Sequence, residues 1–374
     1  MSEERQVRVL HVRTVCGTGG GPDKTILKSC EYLDRRGHFA HAFYMMDRAS
    51  DPGEIASSAR AMGIVMNAAM EDGAVCWKTL AELDHLLGVG GYDIVHTHDY
   101  KSNVLARLMR ARHRYRIVAT AHGYNGTTRR EIFYYGLERW MFRYVDAVVT
   151  PTVGMRNYLL RCGIGTDRMC VIRNGIETAG WERVVRNGQG GKARLVYVGR
   201  LSEEKDLPNL LGAVEILRGR GKDVELLIAG DGADRGRLEG MIEAKGLGGC
   251  VRMLGYVKDV MGVLAGADVM VNPSRTECMP NSILEAMWAG VPVVATDVGG
   301  VGEMLEDGVE GVLVRGGDSA ELARGIERVI DDRVFAETLA EKARARVMRE
   351  FTFEGHMEMT MALYRRVMGR RVRS

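Results

Sequence analysis

Short runs of β-branched and aliphatic residues recur along this chain, and each ends in small or polar residues before an amphipathic stretch begins. Val7 to Arg13, Phe39 to Met45, Asp93 to His98, Ile117 to Ala121, Ala147 to Thr150 and Cys170 to Arg173 form a first series. The pattern stops between Glu177 and Lys192, where charge, Asn and Gly alternate without an apolar period, and an interdomain linker is predicted there. It resumes with Leu195 to Val198, Glu225 to Ala229, Val251 to Leu254, Asp268 to Asn272, Val291 to Ala295 and Gly311 to Val314. Strands alternating with helical stretches of about 10 to 15 residues predict right-handed βαβ units and parallel sheets covered on both faces. The fold class is therefore α/β, with two Rossmann-like domains, 1–180 and 192–352. In such sheets ligands bind outside the carboxyl ends of the strands, and a cleft between two facing domains is the expected site.

Composition narrows the class. A chain of 374 residues can bury two cores, and 46% hydrophobic with 27% charged residues excludes disordered, collagen-like and coiled-coil readings. The 52 basic and 49 acidic side chains leave a net charge of +3, so an anionic partner must be met by a local patch. Seven cysteines without a CxxC pair argue against a disulfide framework or zinc knuckle and for a reducing cytosol. The opening MSEERQVRVL lacks the positive start and apolar stretch of a secretory leader, and no run approaches the ~18 apolar residues of a spanning helix.

Five constellations carry candidate chemistry. CGTGGGPDKT follows the first strand, and Gly19, Gly20 and Gly21 lack side chains, so their amides can approach a phosphate or sugar; a tight structural turn is the alternative. It is no P-loop, since Asp23 stands where the last glycine of GxxxxGK belongs and its carboxylate would repel a phosphate. HTHDYKSN contains His96, read as a packed strand residue, and His98; no Cys, His or Glu at metal spacing joins them, so no metal is assigned. ATAHG places His122 at a strand end beside Gly123, either as a cleft ligand through its ring or carbonyl or as a buried, satisfied histidine. VGRLSEEKD brings Gly199, Arg200 and Lys205 to the end of a strand, a fork and a point charge suited to a diphosphate, unless Glu203 and Glu204 pair with them. NPSRTECMPNSILEAMWAGVPVVATDVGG holds Glu277 in a loop and Glu285 in the first turn of a helix. Ser282 to Glu285 also reads as a capping box, in which Glu285 would reach back to the Ser282 amide. The helix start after Met279, Pro280 and Asn281 offers unpaired amides and a positive dipole end to phosphate oxygens.

In this order the glycine-rich first loop, VGRLSEEKD, the GDG of Gly230 to Gly232 and the E-x7-E segment resemble glycosyltransferase family 4, the retaining, nucleotide-sugar-dependent enzymes of GT-B fold. The resemblance covers nearly the whole chain. HTHDYKSN and GGGPDKT further resemble members found in bacterial cell-surface polysaccharide assembly. It implies that Arg200 and Lys205 hold the diphosphate, Glu277 positions the donor sugar and Glu285 the ribose. Loop groups of Met279, Pro280, Asn281 and Ser282 would serve sugar and phosphates, Gly19, Gly20, Gly21 and Gly199 would lie against the donor, and His122 would line the sugar site. The implied donor is a UDP-, GDP- or ADP-sugar, with no cofactor and no metal, and the chain contains no DxD pair. The implied step is front-face, a donor phosphate oxygen taking the acceptor's proton. Cys278 stands where the family commonly has glycine, and loops at Gly255 to Val260 and Met66 to Trp77 would shape the pocket. A sugar-nucleotide epimerase on the same fold and a non-catalytic nucleotide-binding adaptor are the alternatives, the latter disfavoured by the Glu277 and Glu285 pair.

Between Lys101 and Arg143 ten basic residues face only Glu131 and Glu138, interleaved with Tyr115, Tyr124, Phe133, Tyr134, Tyr135, Trp140, Phe142 and Tyr144. This 101–144 region reads as an interfacial surface for a membrane carrying a lipid-linked sugar acceptor, against the alternative of a solvated helix with its aromatics inward. No nucleic-acid motif accompanies it. From about Phe353 a helix with Met357, Met361, Leu363, Tyr364 and Val367 along one stripe is expected to pack in a core, and the resemblance implies that 353–374 crosses back onto the first domain. Five arginines there, Arg365, Arg366, Arg370, Arg371 and Arg373, would extend the basic face. The expected setting is cytoplasmic, peripheral on the inner face of the membrane.

Overall fold

The structure, a computed structural model, describes residues 5–15, 20–47, 52–71, 76–124, 129–179 and 191–369. Cys16 to Gly19, most of the 177–192 stretch, and Arg370, Arg371 and Arg373 lie outside them. The chain divides into two units, Met1–Ile172 with Met357–Ser374, and Arg173–His356. The first closes at Ile172, ahead of the 177–192 stretch, because the residues just after it bond within the second. Arg173 pairs with Glu350 at 3.1 Å, and the Asn174 amide donates to the Met279 carbonyl at 2.9 Å.

Among its described residues the first unit carries strands β1 (Arg8–Val15), β2 (Phe39–Asp47), β3 (Val65–Glu71), β4 (Ile94–Thr97), β5 (Arg116–Thr120), β6 (Ala147–Thr150) and β7 (Met169–Val171). They form one sheet in the order β3-β2-β1-β4-β5-β6-β7, every pair parallel. Parallel neighbours need crossovers, and helices α1 (Gly21–Arg35), α2 (Pro52–Ala61), α3 (Trp77–Gly90), α4 (Tyr100–Met109), α5 (Arg129–Met141) and α6 (Val153–Arg161) supply them. Strand alternation sorts the faces: Leu10, Val12, Phe43, Met45 and Val95 join one core, while His11, on the opposite face, is the register partner of His96. β3 falls on the stretch read above as a loop. Its sequence, VMNAAME, buries only Ala69 and Glu71 at the sheet edge, so no apolar run marked it.

The second unit carries β8 (Ala193–Val198), β9 (Val224–Ala229), β10 (Val251–Gly255), β11 (Val269–Asn272), β12 (Val293–Thr296) and β13 (Val312–Val314) in the parallel order β10-β9-β8-β11-β12-β13. Between and after them run α7 (Leu207–Gly219), α8 (Arg235–Ala244), α9 (Val260–Ala265), α10 (Asn281–Ala289), α11 (Val301–Met304), α12 (Ser319–Asp331), α13 (Arg333–Glu350) and α14 (Phe353–Met368). Leu195, Tyr197, Leu226 and Ile228 pack under α7, α8 and α12, and Val196, Leu227, Met270 and Ala295 pack with α10 and α13 on the other face. Each fully buried aliphatic side chain contributes about 1.5–3 kcal/mol, which is why both faces of a parallel sheet read as continuous apolar runs. From Met357 onward α14 belongs to the first unit, and its predicted stripe, Met357, Met361, Leu363, Tyr364 and Val367, is buried.

Candidate functional site

Two clusters of polar side chains lie at carboxyl ends of strands, one in each unit. In the second unit the loop after β8 runs through Gly199, Arg200 and Lys205 to Asp206. The loop after β11 carries Ser274, Arg275 and Glu277. The two loops are tied by backbone and side chain. The Arg275 N–H donates to the Glu204 carbonyl at 2.8 Å, and its guanidinium donates to Asp206 at 3.0 Å. Asp206 holds a left-handed φ of 48°, unusual for a residue with a side chain, and its carboxylate is buried against that guanidinium. Lys205 Nζ reaches Glu277 Oε1 at 2.7 Å. The same oxygen accepts from Ser274 Oγ at 2.7 Å and from Asn272 Nδ2 at 3.3 Å, so a buried carboxylate is held by one cation and two neutral donors.

The glycines explain how these backbones come so close. Gly299 has φ of 57°, and a Cβ there would land on the Glu277 carbonyl oxygen, while the neighbouring Gly300 N–H donates to that oxygen at 3.1 Å. Gly230, the first residue of the GDG, stands in the same relation to the Gly199 carbonyl. The Gly199 N–H itself donates to Ala229 at 3.0 Å.

The salt-bridge alternative for VGRLSEEKD holds for one cation. Arg200 is exposed and reaches Glu204 at 3.4 Å, but Lys205 turns to Glu277. The capping box at Ser282 is not formed: the helix begins at Asn281, with Pro280 at its N-cap and no side chain bonded there. Asn174 holds this start by donating to the Met279 carbonyl and, at 3.1 Å, to Asn281 Oδ1. Ser282 is thus already inside the helix, and Glu285 is its fifth residue rather than a member of the first turn. Cys278 is a half-buried residue beside Glu277.

In the first unit the glycine loop differs from expectation. Asp23 is buried, ion-paired to Arg13 at 2.6 Å, and accepts the Gly20 N–H at 2.7 Å. Its charge is neutralised inward, and Gly20 has no amide to offer a phosphate; Gly21 is the first residue of α1. Gly19 lies outside the described residues. Asp99 caps α4 through the Ser102 N–H at 2.9 Å and accepts the Thr14 N–H at 2.7 Å, which locks the ends of β1 and β4 together.

Four histidines line these strand ends. His96 bonds Tyr364 of α14 at 2.6 Å and Thr120 at 2.8 Å, the packed role expected of it. His98 Nδ1 meets His122 Nε2 at 3.1 Å, and His98 Nε2 meets His11 Nδ1 at 3.1 Å. Sequence reasoning missed His11, although a histidine and Arg13 on alternate positions of an apolar strand were the available signal. His11, His96 and His98 each bring a ring nitrogen within 4.8 Å of the others, a spacing a metal could use, with their rings at interplanar angles of 21° to 30°.

Burial pushes the His11 and His122 rings down to about 3 and His98 well below its usual range. Unfolded, the same rings take protons near 6.5, so their contribution is complete above that pH and is lost as pH falls towards 3. Burial, then the Asp99 charge, pushes Glu138 up to about 8, so its contribution has the opposite sign and is lost as pH rises from 4.5 through 8. Three rings outnumber one carboxyl between pH 6.5 and 4.5, at about 1.4 kcal/mol per pH unit for each proton. Urea unfolding at pH 7, 6 and 5 is expected to show falling stability; a flat or rising profile would mean that the rings are not held neutral.

The basic region also resolves. Arg110 and Arg116 pair with Asp146, Lys101 with Glu71 and Arg112 with Asp84, acids from outside the 101–143 count, so its excess is smaller than the sequence suggests. Tyr115 and Phe142 are buried. Ile132, Phe133, Trp140 and Tyr144 point to solvent, Phe133 being 67% exposed. Among the described residues no helix is long and apolar enough to cross a membrane.

The model of "Glycosyltransferase Family 4" matches residues 19–179, and that of "Glycosyl transferases group 1" matches 182–346. The glycogen synthase of Mycobacterium tuberculosis is 30% identical over 284 residues, spanning 73% of this chain and 68% of that protein. The putative glycosyltransferase EpsD of Bacillus subtilis is 28% identical over 288 residues, 72% of this chain and 75% of its own. Anabaena HepE, solved in complex with UDP and glucose, superposes with a TM-score of 0.82 at 19% identity, covering 96% of this chain and 99% of that one.

Proposed function

We infer the reaction from one premise: the chain belongs to glycosyltransferase family 4, with the group 1 glycosyl transferases, and is a glycosyltransferase of GT-B fold. We propose that it is a retaining enzyme that moves a sugar from a nucleoside-diphosphate sugar to a saccharide or lipid-linked acceptor in bacterial cell-surface glycan synthesis. The observation that carries the reading is the pair of half-buried Lys205 with buried Glu277, held by two mutually bonded loops just ahead of the α10 N-terminus.

As the bond from the anomeric carbon to the phosphate breaks, charge gathers on the departing diphosphate. Lys205, the exposed Arg200 and the dipole of α10 are the groups that stabilise it, with the amides of Met279 to Ser282. Glu277, fixed by Lys205, Ser274 and Asn272, positions donor-sugar hydroxyls, and Glu285 takes the ribose. Gly199 lies against the donor, and His122 faces the sugar. The acceptor's proton passes to an oxygen of the leaving phosphate, so no protein carboxylate acts as nucleophile. Basic side chains and a dipole serve where other transferases use a metal, and no cofactor takes part.

The binding test is a thermal-shift panel of UDP-, GDP- and ADP-sugars, with and without EDTA, on wild type and Glu285→Ala. HepE binds UDP and glucose, so UDP-glucose comes first. A donor at 100 times its dissociation constant stabilises by about 2.7 kcal/mol. We expect one nucleotide to give an EDTA-resistant shift that is lost in the variant. No shift with any sugar nucleotide would contradict donor binding, and a shift without turnover would favour a non-catalytic nucleotide-binding adaptor.

We further propose that the protein works in the cytoplasm and that the outward face of α5 rests on an anionic membrane that carries the acceptor. Phe133 and Trp140 lie one heptad apart on that face, with Arg129 at its start and Arg143 exposed just beyond its end. Burying one such ring in the interface is worth about 1.5–3 kcal/mol, so the double change Phe133→Ser and Trp140→Ser is expected to weaken binding to phosphatidylserine vesicles on the order of tenfold or more. Equal co-sedimentation of both proteins would remove the membrane from the account.

A further inference from the structure

We propose that His11, His98 and His122 form a one-way hydrogen-bonded relay that fixes His122 as an Nδ1–H donor at the carboxyl end of β5. The inference rests on the reading that His122 meets the donor sugar. Parallel register builds the relay: His11 on β1 stands beside His96 on β4, His98 follows two residues later, and His122 lies two residues beyond the end of β5. The two links are 3.1 Å each, His11 Nδ1 to His98 Nε2 and His98 Nδ1 to His122 Nε2.

The inner end sets the direction. His11 Nε2 is buried and has no partner among the described residues. A neutral imidazole carries one N–H and one lone pair, and an orphaned buried N–H is costlier and rarer than an orphaned lone pair. His11 therefore keeps its proton on Nδ1 and donates to His98 Nε2. His98 must then carry its proton on Nδ1 and donate to His122 Nε2, which leaves the His122 proton on Nδ1. Escape by full protonation is closed, since burial holds all three rings neutral and the nearby Arg13 charge adds to the effect at His98 and His122. His96 stands outside the relay, with both nitrogens engaged by Tyr364 and Thr120.

The consequence is chemical. A ring with a fixed Nδ1–H donates to a sugar hydroxyl oxygen and accepts nothing at that atom. His11 and His98 are then positioning residues that act through His122, 87 residues apart in sequence yet adjacent in the sheet.

The test uses full-length protein labelled with ¹⁵N-histidine and two-bond proton–nitrogen correlation at pH 7.5, with resonances assigned by single substitutions. The expected spectrum shows His11, His98 and His122 each protonated at Nδ1. In His98→Leu the His122 ring loses its single pattern, and kcat falls about tenfold with little change in donor KM. A His122 ring protonated at Nε2 in the wild type overturns the relay, as does an unchanged His122 pattern in His98→Leu; the wild-type spectrum decides even if that variant does not fold. His122→Ala separates the relay from the reading beneath it. If the tautomers are as expected but this variant transfers at the full rate, the sugar-site reading fails and the relay stands. If it loses transfer while the wild-type ring is protonated at Nε2, the relay fails and the sugar-site reading stands.

Discussion

Lys205→Ala is expected to slow sugar transfer on the order of a hundredfold or more. The lysine is the half-buried cation that holds the buried Glu277 carboxylate in the second unit's strand-end cluster, and losing one donor aimed at developing charge costs about 3 kcal/mol in the transition state. The same change leaves the Glu277 carboxylate buried without its cation, a loss of about 3 kcal/mol of stability, softened by the bonds from Ser274 and Asn272 that remain. The two effects separate in the double variant Lys205→Ala, Glu277→Gln. A neutral amide no longer needs the cation, so the melting temperature should recover most of its loss while transfer stays slow. If the double variant transferred as fast as Glu277→Gln alone, Lys205 would be a partner of Glu277 and nothing more. Arg200→Ala should cost less in stability than Lys205→Ala, because Arg200 is 69% exposed and its contact with Glu204 is long.

Gly299→Ala carries the second large expectation. Its φ of 57° disfavours any side chain, and the new Cβ would occupy the position of the Glu277 carbonyl oxygen, which is backbone and cannot swing aside. Strain and clash together are expected to lower stability by about 3 kcal/mol, roughly 6–12 °C in melting temperature for a unit of this size. Any relaxation must move the Glu277 backbone, so donor binding should weaken even in protein that remains folded. A differential-scanning melt beside a donor titration checks both. Gly308→Ala is the matched control: Gly308 also has a positive φ, 70°, but no atom within 4 Å of a built Cβ, so it should show the strain without the clash and bind donor normally.

Much of this was legible in the chain because parallel strands advertise themselves. Runs such as Ala147 to Thr150 and Val291 to Ala295 are buried on both faces, so they appear as unbroken apolar stretches between turn residues. β3 did not, since an edge strand with Asn67, Met70 and Val65 outward carries no such signal. The strand-end rule also pointed to Lys205, Glu277 and His122, each in the loop that follows a run.

Local motifs misled where a distant residue decides the geometry. Ser282 and Glu285 have capping-box spacing, but Asn174, more than a hundred positions away, holds the helix start two residues earlier, with Pro280 at the N-cap. Asp23 looked hostile to an anion until Arg13 on the neighbouring strand neutralised it. The charge excess of 101–143 was counted within its own segment, whereas Asp84, Asp146 and Glu71 reach it through the fold. His11 and His98 show the same limit: only sheet register makes them neighbours.

The central claim is retaining transfer from a sugar nucleotide, and product stereochemistry tests it most directly. The protein would be incubated with the sugar nucleotide that shifts its melting and with a panel of saccharide and lipid-diphosphate-linked acceptors, while proton NMR follows the anomeric signals. The account predicts nucleoside diphosphate release matched by a new glycosidic linkage with the donor's anomeric configuration. A product of inverted configuration, or an isomerised sugar nucleotide formed without acceptor, would contradict it.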